Sequence, residues 1–130
     1  LNEGIRRYIK LINQMAQITI IEIKDKRLSR IDDNLLSESK DILKHTGNYF
    51  LLDEKGKEFS SIEFAQFLRD RNSIDFVIGG PFGVSEDVKH KASGIISLSR
   101  MTFTHEMARL FFLEQIYRGL TIIKGMGYHH

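Results

Sequence analysis

The chain contains no cysteine. That excludes disulfides, thiolate zinc sites and a cysteine nucleophile, and it agrees with a reducing, cytoplasmic setting. No apolar run reaches the roughly 20 residues of a membrane-spanning helix, so a soluble protein without a membrane partner is expected. No signal-peptide pattern opens the sequence. Charge of one sign is scarce as well: 19 Lys and Arg against 17 Asp and Glu leave a formal net charge of +2. Such an excess permits an acidic partner such as RNA but does not argue for one; electrostatic binding would need basic residues gathered on one face. Proline occurs once, as Pro81, inside the stretch "VIGGPFGV".

What is present suits one domain over 1–130: the 130 residues are 42% hydrophobic, enough for a packed core. The first residue is leucine, and the chain starts inside an amphipathic helical pattern, which points to an element ahead of it. Residues 1–13 place Leu1, Ile5, Tyr8, Ile9 and Ile12 near one helical face. "QITIIEI", 17–23, is rich in β-branched residues and reads as a strand. A basic connector follows at 24–30, with Lys24, Lys26, Arg27 and Arg30, either solvated or touching phosphates. Asp32 or Asp33 caps a further helix that carries Leu35/Leu36 and Ile42/Leu43 and ends near Gly47.

"NYFLLD", 48–53, reads as a second strand stopped by "EKGK". Ser60 and Glu63 then form a capping box, with Phe59 and Phe64 spaced as a hydrophobic staple, for a helix to about Arg71. "IDFVIG", 74–79, is a third strand, 85–92 a short helix, and "GIISLS", 94–99, a fourth strand. The last helix, 104–123, is apolar on most of its circumference, so it is expected to pack on the sheet and on a second subunit. Strands separated by helices imply an α/β fold with a mostly parallel sheet covered on both faces.

Three strand exits carry signals, because ligands of open α/β sheets bind beyond the strands' carboxyl ends. In "IGGPFG", Gly79 and Gly80 let a backbone approach a ligand, although a tight turn uses glycine equally. The pattern is neither G-x-G-x-x-G nor a P-loop. "LLDEKGK", after Leu52, looks like an ordinary strand exit. "SLSRMTFTHEMAR" runs from strand through a polar loop to a helix start, where Thr104 is a cap and His105 and Glu106 fill the first turn. "HEMAR" has Arg109 where H-E-x-x-H needs its second histidine, so no metal site is expected. Arg109, Glu114 and Arg118 interrupt the apolar helix; Glu114 and Arg118, four apart, can pair on a solvated stripe, or the arginines can meet phosphate in a shared cleft. The tail "KGMGYHH" is either a frayed end or a strip that brings Tyr128 and imidazoles over a base.

In combination, "FVIGGPFG", "SLSRMTFTHEMAR", "LEQIYRG" and the closing "YHH" resemble the ribosomal RNA large subunit methyltransferase H family. That family comprises S-adenosylmethionine-dependent pseudouridine N3-methyltransferases of the SPOUT, or α/β-knot, superfamily. The likeness covers nearly the whole chain and is strongest over 74–130. It implies a C-terminal trefoil knot, a homodimer whose sites are completed by the partner, and ribosomal RNA in the ribosome as substrate. It also implies one more strand ahead of Leu1, ending in a V-G-K-like stretch, and a proline where this chain has Thr104. By the same resemblance the cofactor loops are Leu52, Gly79 and Gly80, and Leu98, Ser99, Arg100, Met101, Thr102 and Phe103. Tyr128 and His129 are expected beside the target base, His105 as the reserve proton acceptor, and Arg109, Arg118 and His130 on the RNA. A non-catalytic RNA-binding module of the same fold, a methyltransferase of this superfamily for another RNA, and an unrelated nucleotide-binding domain are the alternatives.

Overall fold

The computed structural model describes residues 1–22, 48–71, 73–80 and 83–130. The basic connector, the helix expected after Asp32 or Asp33, and Pro81 lie outside the described residues. Four strands pair in the order β1-β3-β2-β4, where β1 is Gln17–Glu22, β2 is Phe50–Glu58, β3 is Ser73–Ile78 and β4 is Gly94–Ser97. Every pairing between them is parallel. The helices are α1 (Asn2–Asn13), α2 (Ser61–Arg69), α3 (Glu86–Lys91) and α4 (His105–Ile123).

Side chains alternate along these strands, as the period of two requires. Ile74, Phe76, Ile78 and Ile96 turn to one face, where they meet Ile5 and Ile12 of α1, Phe64 and Leu68 of α2, and Phe112, Leu113, Ile116 and Leu120 of α4. Val77 and Leu51 turn to the other face and join Tyr49 and Val88 of α3. The sheet is thus covered on both sides. Phe76 sits edge-on to Phe112, with ring centroids 4.9 Å apart, which fixes α4 against the central strand. At the start of α1 the apolar face is narrower than its sequence suggests: Leu1 is exposed, while Ile5 and Ile12 are buried.

The helix starts follow local chemistry. The Ser60 side chain accepts from the Glu63 N–H at 3.1 Å, and the Glu63 carboxylate accepts from the Ser60 N–H at 2.8 Å. That second bond holds the Glu63 carboxyl below the ordinary carboxylate range. Phe59 and Phe64 close the staple, with centroids 6.0 Å apart. Thr104 caps α4 through the Met107 N–H at 3.4 Å, so the threonine fills the helix-start position where the related pattern has proline.

One expectation is corrected. β2 does not stop at "EKGK". Leu52 and Lys57 both pair with Ile96, so residues 53–56 are thrown out of the ladder, and the strand resumes through Glu58 against Ser97. The cause is a close approach at Gly56, where a Cβ would lie 2.6 Å from the Ile95 carbonyl carbon and oxygen. No side chain fits there, so glycine is what lets the chain return to the sheet after the excursion. Gly56→Ala is therefore expected to destabilise the protein by about 1–3 kcal/mol through forced backbone movement. Gly127→Ala, where a Cβ meets nothing within 4 Å, should be close to neutral. Denaturant unfolding of the two variants checks this; equal midpoints would contradict the packing seen at Gly56.

Candidate active site

Parallel pairing brings the carboxyl ends of all four strands to one edge. The excursion 53–56, the glycines 79, 80 and 83 and residues of the loop 98–104 lie at that edge and line a cavity of about 670 Å³. Its walls include Leu52, Asp53, Glu54, Gly79, Gly80, Leu98, Ser99, Met101, Thr102, Phe103 and His105. Eight of the nine residues expected at a cofactor loop are thus brought together from three separate loops. The ninth, Arg100, is exposed outside the lining, with its guanidinium 3.8 Å from the Glu58 carboxylate.

The loops are tied to one another. Ser97 Oγ stands 3.1 Å from the Glu54 carbonyl oxygen and 2.8 Å from that of Ser99, and the Met101 N–H donates to Ser99 Oγ at 3.0 Å. The Thr102 hydroxyl donates to the Glu54 carboxylate. The glycine turn closes through Gly83 N–H to the Gly80 carbonyl at 3.0 Å, with Gly83 at φ 79°, a conformation that L side chains seldom adopt. At Gly79 a Cβ would press Val84 Cγ1 at 3.0 Å and the Gly83 carbonyl carbon at 3.3 Å. Gly79, Gly80 and Gly83 all line the cavity, and a side chain at Gly79 would have to displace Val84.

Asp53 and Glu54 belong to "LLDEKGK", by sequence an ordinary strand exit. They are acidic walls of the cavity, and Lys89 is a basic one. The signal was an acidic pair directly after a strand end, which has no meaning until the excursion places it. A second hollow, about 380 Å³ and lined by Phe59, Phe64, Phe103, Phe111 and Phe112, shares Leu98 and Phe103 with the first.

The expected tail residues gather elsewhere. Glu114 accepts Arg118 Nε–H at 3.2 Å and Nη2–H at 3.0 Å, and it accepts the Tyr128 hydroxyl at 3.0 Å. Tyr8 of α1 lies 3.2 Å from Tyr128, oxygen to oxygen; since the Tyr128 proton goes to Glu114, Tyr8 is the donor there. Arg118 stands over the Tyr128 ring at 5.0 Å from its centroid, and its Nη1 is 3.0 Å from His129 Nδ1. Tyr8 was legible only as an apolar-face residue; its partner is 120 positions away. None of these residues lines the cavity. Arg118 lies thirteen residues beyond His105 on α4, about 20 Å at 1.5 Å per residue. Arg109 is half-buried between them on the same helix, and His130 is exposed.

Burial, with the hydrogen bonds to Tyr8 and Glu114, pushes the Tyr128 phenol well above the ordinary tyrosine range. Burial does the same at Tyr49, helped by the Asp87 carboxylate. The Glu114 hydrogen bond raises Arg118 further, so it stays cationic. Among the described residues no group of three His, Cys, Asp or Glu side chains is placed to hold a metal ion. None of the described helices is long and apolar enough to cross a membrane.

Both phenols hold their protons more tightly folded than unfolded. Their contribution is complete below the ordinary tyrosine pKa of about 10 and is lost as pH rises beyond it. Phenolate absorbance is therefore expected to lag the ordinary tyrosine titration, and Tyr128→Phe should remove part of the lag. A titration complete in the ordinary range would contradict the tail network.

A family model described as "Predicted SPOUT methyltransferase" matches residues 1–129. Proteins named ribosomal RNA large subunit methyltransferase H are similar along the whole chain. The one from Thermodesulfovibrio yellowstonii is 46% identical over 131 residues, covering 100% of this chain and 89% of its own length. The one from Cytophaga hutchinsonii is 41% identical over 140 residues, covering 100% and 90%. The one from Thermotoga maritima is 38% identical over 137 residues, covering 100% and 91%. A match of this extent, on a parallel sheet whose strand exits wall one cavity, makes the chain a member of the SPOUT methyltransferase family.

Proposed function

We propose that the chain is a single methyltransferase domain that transfers a methyl group from S-adenosylmethionine to N3 of a pseudouridine in large-subunit ribosomal RNA, on the assembled ribosome. The observation that carries this reading is the convergence of Leu52, Gly79, Gly80, Leu98, Ser99, Met101, Thr102 and Phe103 on one cavity. Relatives similar over the full chain carry the name of a ribosomal RNA methyltransferase, which supports RNA as the substrate. The shared lining of Gly79, Gly80 and Gly83 with Leu98, Ser99, Met101, Thr102 and Phe103 supports a C-terminal knot in this reading.

The cavity fits the cofactor. Its volume, about 670 Å³, lies within the range of roughly 300–1,000 Å³ usual for small-molecule sites. Its glycines present backbone without side chains, and the Asp53 and Glu54 carboxylates suit a ligand with positive charges. S-adenosylmethionine, when bound, supplies a methyl group activated on a sulfonium. Leu52, Leu98 and Phe103 would hold the apolar parts, and the backbone of 79–80 and 98–102 the polar edges. Holding donor and acceptor in line supplies much of the rate by proximity.

The acceptor N3 carries a proton near neutral pH and must lose it. His105 is the titratable imidazole in the cavity wall. Tyr128 and His129 do not line their own cavity, and Arg118, which meets His129, lies about 20 Å along α4 from His105, so in this reading they act on the cavity of a second copy, in a homodimer. The target base leaves its stack to reach the site. The exposed His130 and the half-buried Arg109 face the RNA backbone, whereas Arg118 is committed to Glu114 and His129.

The test is transfer of labelled methyl from S-adenosylmethionine to intact ribosomes and to naked ribosomal RNA, with the product mapped by mass spectrometry. Label on a pseudouridine N3 of intact ribosomes is expected. A folded protein that binds no S-adenosylmethionine by calorimetry is instead a binding module, and label at another nucleotide overturns the substrate. Removing residues 128–130 should cut turnover by a factor of about 10² or more while leaving donor affinity nearly unchanged. Turnover that survives the truncation removes the tail from the site.

A further inference from the structure

We propose that His129 serves as a neutral hydrogen-bond donor through Nε2–H to a carbonyl oxygen flanking the methylated nitrogen, and that Arg118, held by Glu114, fixes it in that form. This rests on the preceding reading that the tail meets the acceptor base.

The geometry is specific about where the ring proton lies. Arg118 Nη1 stands 3.0 Å from His129 Nδ1. A guanidinium has donors only, so Nδ1 is the acceptor in that bond and carries no proton. The neutral ring then carries its one proton on Nε2. His129 in this arrangement offers no free basic nitrogen: one is occupied by Arg118 and the other bears hydrogen. What it offers is an N–H.

Arg118 is in turn immobilised. Its Nε–H and Nη2–H both go to the Glu114 carboxylate, at 3.2 and 3.0 Å. Two parallel bonds set the plane of the guanidinium and leave Nη1 directed at the tail. Glu114 is nearly buried, with its side chain 19% exposed, and it also takes the Tyr128 hydroxyl and a Gln115 amide N–H. Its four hydrogen bonds hold the carboxylate in one place, and with it the guanidinium and the Tyr128 ring beneath it. The Tyr128 proton is committed to Glu114, so that phenol is neither base nor acid toward a substrate. Glu114 and Arg118 are positioning residues; His129 is the group that touches the base.

The chemistry calls for such a donor. As the acceptor's N3 loses its proton, to the His105 imidazole of the cavity wall in the preceding reading, negative charge spreads onto the two carbonyl oxygens beside it. N3 then gains its bond to the methyl carbon, and the pair of the broken methyl–sulfur bond stays on sulfur. A fixed N–H at one carbonyl oxygen stabilises the charge while it exists.

Single-turnover methyl transfer to ribosomes separates the donor role from a base. His129→Gln keeps an N–H near the Nε2 position but takes no proton. It is expected to retain activity within about tenfold, while His129→Ala loses on the order of 10²–10³. S-adenosylmethionine affinity should be unchanged in both. If Gln is as impaired as Ala, the tail still serves the site and the donor role is overturned. If Ala turns over like the unmodified protein, the tail is away from the acceptor and the preceding reading falls instead. Nitrogen-15 NMR of the His129 ring supplies the second readout: Nε2–H alone in the unmodified protein, and a mixture of tautomers with lowered kcat in Arg118→Met. An unaltered ring signature in Arg118→Met overturns the positioning role.

Discussion

The parallel pairing of β2 with both β3 and β4 is the constraint on which the rest of the structure depends. Strands that run the same way finish at the same edge, so the loops that follow them are neighbours whatever their separation in sequence. Residues 52, 79–80, 98–99 and 101–103 become one wall for that reason. The excursion at 53–56 adds to it by taking Asp53 and Glu54 out of the ladder and facing them to Thr102 and the loop after β4. Gly56 sits where that excursion rejoins the sheet, against the Ile95 backbone. The cavity's acidic side therefore depends on the absence of one Cβ.

α4 spans the molecule from this cavity to a second polar centre. Its first turn carries His105 in the cavity wall; its middle is buried on Phe64, Phe76 and the sheet; its later turns hold Glu114 and Arg118. Burying Phe112, Leu113, Ile116 and Leu120 fixes the helix, and with it the spacing between the two centres. A helix is a poor lever for bringing its own ends together, since each residue adds about 1.5 Å of length. The tail cluster and the cavity of one chain are therefore separate centres, since none of the tail residues lines the cavity.

The tail network inverts the usual reading of its residues. An arginine near an RNA enzyme's terminus suggests phosphate, and a histidine beside a tyrosine suggests a proton acceptor. Here the guanidinium faces a carboxylate and an imidazole nitrogen, and the phenol gives its proton to the same carboxylate. Ion pairs of this kind in partly buried positions hold geometry more than they add stability. Order, not charge, is what the cluster supplies to the tail.

Local rules decided much from the residues alone. The capping box at Ser60 and Glu63, the Thr104 cap and the β-branched run of β1 each act over a few neighbours, and the structure has them where the pattern puts them. The i, i+4 pairing of Glu114 with Arg118 is of the same sort. The candidate site was legible in part, because "IGGPFG" and "SLSRMTFT" follow strand ends, where the loops of a parallel sheet converge. What tertiary structure decided is where segments distant in sequence meet. The extension of β2 to Glu58 depends on Ile95 and Ile96, nearly forty residues on. Tyr8 joins Tyr128 across the length of the chain. The contact of His129 Nδ1 with Arg118 depends on an arginine held by a helix that the tail folds back upon. Short-range preferences act through bonded neighbours and are written in spacing; contacts across the fold depend on how the elements pack together, which no local spacing encodes.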